Sequence, residues 1–138
     1  MPGPSTFENI SDGLLRSFDD KDRAREEALS LSRRVIRLCS SSIRSMHRSE
    51  IPAAKRLVDE AAEELEKIRE LLGNHQDVRY AGFVDGAEQE YAEAISVYSI
   101  ITRNEILTPA EVGVELANYL AGLGDVCGEL RRHILDLI

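Results

Sequence analysis

The sequence contains no tryptophan, four tyrosines, three phenylalanines and four prolines in 138 residues. Alanine, leucine, isoleucine, glutamate and arginine dominate instead, a helix-forming composition. No run of 18 apolar residues occurs, so no membrane span is expected. The start, Met1-Pro2-Gly3-Pro4-Ser5-Thr6, has no basic segment followed by an apolar one and does not read as a secretory signal. Strand alternation, G-x-G-x-x-G and P-loop patterns are absent, as is any repeat of 20–50 residues. Cysteine is confined to Cys39 and Cys127, without metal-ligand spacing. Both lie among apolar helical neighbours and are expected to be buried thiols in a reducing, cytoplasmic setting.

The net charge of −8 argues against a simple electrostatic grip on nucleic acid. Its distribution is uneven. Residues 1–48 hold nine Lys/Arg against seven Asp/Glu, and residues 49–138 hold eight against eighteen. Arg33, Arg34, Arg37, Arg44 and Arg48, with His47, form a basic stretch containing no acid. Arg37, Arg44 and Arg48 recur at seven and then four, close to one helix face. The stretch is either a solvated face or, through Arg33, Arg37, Arg44 and Arg48, a path for phosphates.

Apolar periodicity organises the rest. Residues 1–18 are weakly patterned and are expected as a loose arm or short leading helix, with one helical domain over 19–138. Ala24, Ala28, Leu31, Val35, Leu38, Ile43 and Met46 mark a first helix from Asp19 to Arg48, with Asp19, Asp20 and Asp22 suited to its start. Pro52 opens a second, and Gly73-Asn74 stops it after Leu72. A third is expected over Tyr80–Glu105. Thr108-Pro109-Ala110-Glu111 is a capping box that should open a fourth, with Val112, Leu116, Tyr119, Leu123, Val126 and Leu130 in register. Long amphipathic helices joined by short links predict an all-α antiparallel helical bundle.

Within these helices lies a set of acids on stretches otherwise suited to burial. Glu90 and Glu93 precede the apolar run Ile95–Ile101, and Asp125 and Glu129 sit in Gly122-Leu123-Gly124-Asp125-Val126-Cys127-Gly128-Glu129-Leu130. Spacings of three and four put each pair on one face. Burying isolated carboxylates is costly, so they need cations, hydrogen bonds or a metal. Hard oxygen donors without a Cys/His cluster favour Mg²⁺ or Mn²⁺ over zinc. The alternative is an ion-pair network with Arg33, Arg37, Arg131 or Arg132. Gly122, Gly124 and Gly128 each cost the helix roughly 1 kcal/mol relative to alanine, which close approach of a neighbour would explain. Asp85 and Glu88 read as solvated, and His47, His75 and His133 as surface residues. Tyr91 and Tyr98 share a face and read as core.

Three segments carry a family resemblance. Arg25–Arg37 with Ile43-Arg44-Ser45-Met46-His47-Arg48 resembles the opening of the translin family. Gln89-Glu90-Tyr91-Ala92-Glu93-Ala94-Ile95-Ser96 resembles the acidic segment of its Trax-like branch. Asn118–Arg132 resembles the family's GL-D–GEL-R helix. The resemblance, which covers about residues 20–138, implies a translin-type bundle. It also implies that the chain lacks the family's last helices. It further implies a homo-oligomer, hexamer or octamer, of prokaryotic or archaeal type, enclosing single-stranded RNA or single-stranded DNA. Trax-like chemistry is metal-dependent endoribonuclease action; the alternative is a non-catalytic translin-like binding protein. Carried over by position, Glu90, Glu93 and Asp125 match the catalytic, metal-holding acids, and Glu129 an acid of the same motif helix. The segment Val78–Asp85, where translins place a basic aromatic binding stretch, holds one arginine. Nothing requires a separate translin subunit.

Overall fold

The computed structural model describes residues 3–138, and among these six helices and no strand occur. They are α1 (Pro4–His47), α2 (Ile51–Leu71), α3 (Gln76–Arg79), α4 (Phe83–Arg103), α5 (Pro109–Val112) and α6 (Leu116–Leu137). The all-α architecture is as the periodicity predicts; several boundaries differ.

The first helix begins at Pro4 rather than near Asp19, so residues 4–18 of the segment expected as a loose arm or short leading helix form the opening third of α1. Asp19, Asp20 and Asp22 lie in mid-helix and do not mark its start. At 44 residues α1 is about 66 Å long. It outruns α2, and its opening turns expose Phe7, Ile10, Leu14 and Phe18. Met1 and Pro2 lie outside the described residues.

Ser49, with φ 59°, turns the chain tightly between α1 and α2. These two helices pack as a hairpin, joined by Ser42 donating to the Ala54 carbonyl at 2.8 Å. The core runs along Ala24, Ala28, Val35, Cys39, Ile43 and Met46 of α1, Ala54, Val58, Ala61, Leu65 and Ile68 of α2, and Ala87, Ala94 and Val97 of α4. Many of these side chains are small, which lets the helix axes approach closely, and the apolar area removed from water holds them together. Tyr91 and Tyr98 pack against this core, as expected.

The capping box at Thr108 forms as read, with Thr108 accepting from the Glu111 amide and Glu111 reaching back to the Thr108 amide at 2.7 Å. The helix it opens is only Pro109–Val112. Gly113, at φ 75°, takes the left-handed conformation that favours glycine and ends it, and α6 starts afresh at Leu116.

Helix α6 starts beside the first turns of α4. Asn118 donates to Asp85 at 2.9 Å, and the Glu115 amide donates to Glu88 at 3.2 Å. Asp85 and Glu88 are thus not solvated face residues. Glu88 is buried and bonded to Arg79, which also bonds Asp85 at 3.1 Å. From there α6 crosses α4 at Gly122 and reaches the C-terminal end of α1 at His47. That crossing brings the two acidic segments together.

Candidate acidic site at the α1, α4 and α6 junction

Glu90 and Glu93 of α4 and Asp125 and Glu129 of α6 lie near enough to feel one another's charge. The approach is possible because Gly122 has no side chain. A Cβ there would lie 2.7 Å from the Gln89 carbonyl oxygen, 2.8 Å from the Ala92 Cβ and 3.0 Å from the Glu93 nitrogen. Gly124 and Gly128 have open space instead, so close approach explains only the first of the three glycines.

Each carboxylate has a different environment. Glu93 is buried, and Glu90 is half-buried. Loss of hydration pushes the Glu93 carboxyl up to about 7, with Glu90, Asp125 and Glu129 adding repulsion. Burial likewise raises Glu90, helped by Asp125 and Glu129. Asp125 is exposed and accepts from Gln89 at 2.9 Å. Glu129 is bonded to His47 at 2.6 Å. Cys39 of α1 lies buried within reach of the Glu90 and Glu93 charges, and burial drives its thiol far above the usual range. It is a core thiol, as expected, whereas Cys127 is exposed, contrary to expectation.

The ion-pair alternative can be checked directly. Among the described residues Glu90 and Glu93 bond no cationic side chain, and Arg33, Arg37, Arg131 and Arg132 form no ion pair. Repulsion among the four acids is therefore not offset by arginine. As the side chains stand, no three Asp, Glu, His or Cys among the described residues gather at coordinating geometry. Gln89 and His47 each hold one of the α6 acids. The donor set is nonetheless suited to a divalent ion: hard oxygens, two of them on carboxyls raised by burial and by neighbouring acids, with a buried imidazole beside Glu129.

That imidazole was read as a surface group and is not one. The His47 side chain is 5% exposed, closed in by α6. Its position one residue beyond Met46 and four beyond Ile43, in the buried stripe of α1, is the signal that could have found it. His133, partly buried, places its ring centre 5.8 Å from that of His47.

The basic stretch lies on α1, with Arg33, Arg37, Arg44 and Arg48 exposed. Arg44 bonds Ser40 and Ser41 on its own helix, and Arg48 pairs with Glu50. Arg33 and Arg37 have no ion-pair partner among the described residues. In the Val78–Asp85 segment the one arginine, Arg79, is buried in its pair with Glu88. Tyr80 is exposed over it, the guanidinium carbon 4.8 Å from the ring centre.

The fold is thus an all-α helical bundle in which α6 crosses α4 and brings two acidic segments to one junction. The model of the translin family matches residues 23–136, and the chain belongs to that family. It is 36% identical over 124 residues to an uncharacterized protein of Methanocaldococcus jannaschii, covering 89% of this chain and 55% of that protein. In fold it is similar to a protein whose crystal structure is described as apo-NeC3PO. That match has a TM-score of 0.82 and 28% identity, over 99% of this chain and 70% of the other. The chain thus spans about half the length of the curated relative it matches. No helix among the described residues is long and apolar enough to cross a membrane.

Proposed function

We propose that this chain is a Trax-like subunit of prokaryotic type, a metal-dependent endoribonuclease acting on single-stranded RNA within a homo-oligomeric shell. The observation that carries the reading is the approach of the Glu90–Glu93 segment to the Asp125–Glu129 segment where Gly122 of α6 meets α4, with no arginine among the described residues paired to any of the four acids. Membership of the translin family and likeness to apo-NeC3PO support it.

The residues that would hold an ion are Glu90, Glu93 and Asp125, with Glu129 as a further ligand or support. Bound there, Mg²⁺ or Mn²⁺ would supply charge neutralisation on the phosphate and activation of the attacking water. The chain's own groups have complementary parts. One of these carboxylates would also accept a proton from the attacking water. Gln89, donating to Asp125, fixes the direction of that carboxylate. The exposed Arg33 and Arg37 on α1, with Arg44 and Arg48 further along, offer cations to the phosphates of a single strand.

A second reading is a non-catalytic protein that binds single-stranded RNA or single-stranded DNA. It is favoured by the bonds that hold Asp125 on Gln89 and Glu129 on His47 and leave the acids apart. Cleavage of a labelled single-stranded RNA by Glu93→Ala, with subunit assembly followed by light scattering, distinguishes the two. Lost cleavage with assembly intact supports the nuclease; lost assembly returns Glu93 to a structural role.

A further inference from the structure

His47 ends the buried stripe of α1 where α6 crosses it, and its two ring nitrogens face two carboxylates of that helix. Nε2 lies 2.6 Å from Glu129 Oε2, and Nδ1 lies 3.9 Å from Asp136 Oδ2. Nδ1 is buried without a hydrogen-bond partner, as is Nδ1 of His133.

A neutral imidazole has one N–H. With the proton on Nε2, the bond to Glu129 is made and Nδ1 is a buried lone pair facing a carboxylate. With the proton on Nδ1, the N–H points at Asp136, and the Nε2 lone pair meets Glu129 head on. The second arrangement is repulsive unless a cation lies between Nε2 and Oε2. Either a second ring proton or an ion there satisfies every group; with the ion, Nε2 and Glu129 ligate and Nδ1–H closes on Asp136, and the two cases differ in whether the ring nitrogen couples to a bound metal. A histidine ligand whose far nitrogen donates to a carboxylate is the usual support of a metal-bound imidazole. The opening required is small. Two ligands at right angles, each about 2.1 Å from one ion, lie about 3 Å apart, a few tenths of an ångström more than the present 2.6 Å.

We infer that His47 Nε2 is a nitrogen ligand beside Glu129 and the α4 acids, making this a mixed nitrogen–oxygen site selective for Mn²⁺ over Mg²⁺. The inference rests on the metal-site reading above and adds a ligand and an ion preference to it. Mg²⁺ favours oxygen donors and keeps its waters, whereas a first-row transition ion accepts imidazole together with carboxylate.

The test is pulsed electron paramagnetic resonance of the whole chain loaded with Mn²⁺ alone, alongside calorimetric titration with Mn²⁺ and Mg²⁺. The expected spectrum carries ¹⁴N modulation from a ligating imidazole. That modulation vanishes on ¹⁵N-histidine labelling, persists in His133→Gln and is lost in His47→Gln. His47→Gln should also bind Mn²⁺ at least about tenfold more weakly, with Mg²⁺ affinity changed less. If His47→Gln fails to fold, the labelled wild-type spectrum together with His133→Gln still decides. Mn²⁺ bound through Glu93 but without histidine ¹⁴N coupling would overturn this inference and leave the acidic metal site standing. Loss of the coupling in His133→Gln would overturn it in favour of the other histidine. No Mn²⁺ binding at all would overturn the metal site itself.

Discussion

Gly122 of α6 rests against the backbone of Glu93 on α4, so close that a Cβ would sit 3.0 Å from the Glu93 nitrogen. The contact fixes where the two acidic segments cross, and its sterics are testable. In Gly122→Ala, better helix propensity contributes about 1 kcal/mol. Overpacking against backbone that cannot yield costs about 1–3 kcal/mol, so a net loss of about 1 kcal/mol is expected. Gly124→Ala and Gly128→Ala, which meet open space, should each gain roughly 0.5–1 kcal/mol. Denaturant midpoints of the three variants check this contrast.

Glu93 predicts an unusual pH dependence for the metal-free chain. Its folded carboxyl is raised to about 7 from an ordinary value near 4.5. Between those values the folded state keeps a proton that the unfolded state has lost, so stability falls as pH rises through this window. The penalty is absent below 4.5 and complete above 7. Glu93→Gln should therefore match the wild type near pH 4 and exceed it at pH 8 by on the order of 2 kcal/mol. Urea melts at the two pH values in EDTA give the answer.

The same carboxyl makes ion binding compete with protons. Mn²⁺ affinity of the wild type should rise with pH up to about 7 and then level off. Addition of Mn²⁺ at pH 8 should raise the melting temperature of the wild type and leave that of Glu90→Ala/Glu93→Ala unchanged. Thermal melts with and without the ion measure both effects.

The buried pair Arg79–Glu88 locates the start of α6, since Glu88 also accepts from the Glu115 amide and Asp85 from Asn118. Removing one partner leaves a buried charge alone. Arg79→Ala should cost about 3–5 kcal/mol, and Arg79→Met/Glu88→Met less than the sum of the two single changes. A double-mutant cycle by chemical denaturation checks it.

Helix order and the pairing of acids were legible in the sequence because both are local. Periods of three and four report the buried face of a helix, and the spacings of Glu90 with Glu93 and Asp125 with Glu129 report a shared face. The structure joins the two pairs because Gly122 lets α6 cross α4, an effect of one missing side chain that a single helix only hints at. His47 was misread because its burial comes from α6, eighty-two residues further on, closing over the end of α1. Asp85 and Glu88 were misread for the same reason: both bond Arg79 of α3, and they meet Asn118 and the Glu115 amide at the start of α6. The stop at Gly113 was missed because the capping box before it gave a strong start signal, and periodicity resumes beyond it in α6.

Phosphate contacts on α1 should show as salt dependence. Binding of oligo(U) to Arg33→Ala/Arg37→Ala should be weaker at low salt, with the slope of log K against log salt reduced by about 1 per arginine removed. Fluorescence anisotropy across a salt series measures the slope; an unchanged slope would place the nucleic acid elsewhere.

The most direct test is cleavage of a fluorescent single-stranded RNA with Mg²⁺, with Mn²⁺ and with EDTA, comparing the wild-type chain with Glu90→Ala/Glu93→Ala. Cleavage by the wild type that needs the ion and disappears in the folded double variant is the expected result. Equal cleavage by the double variant, or none by folded and assembled wild type with either ion, would contradict the account.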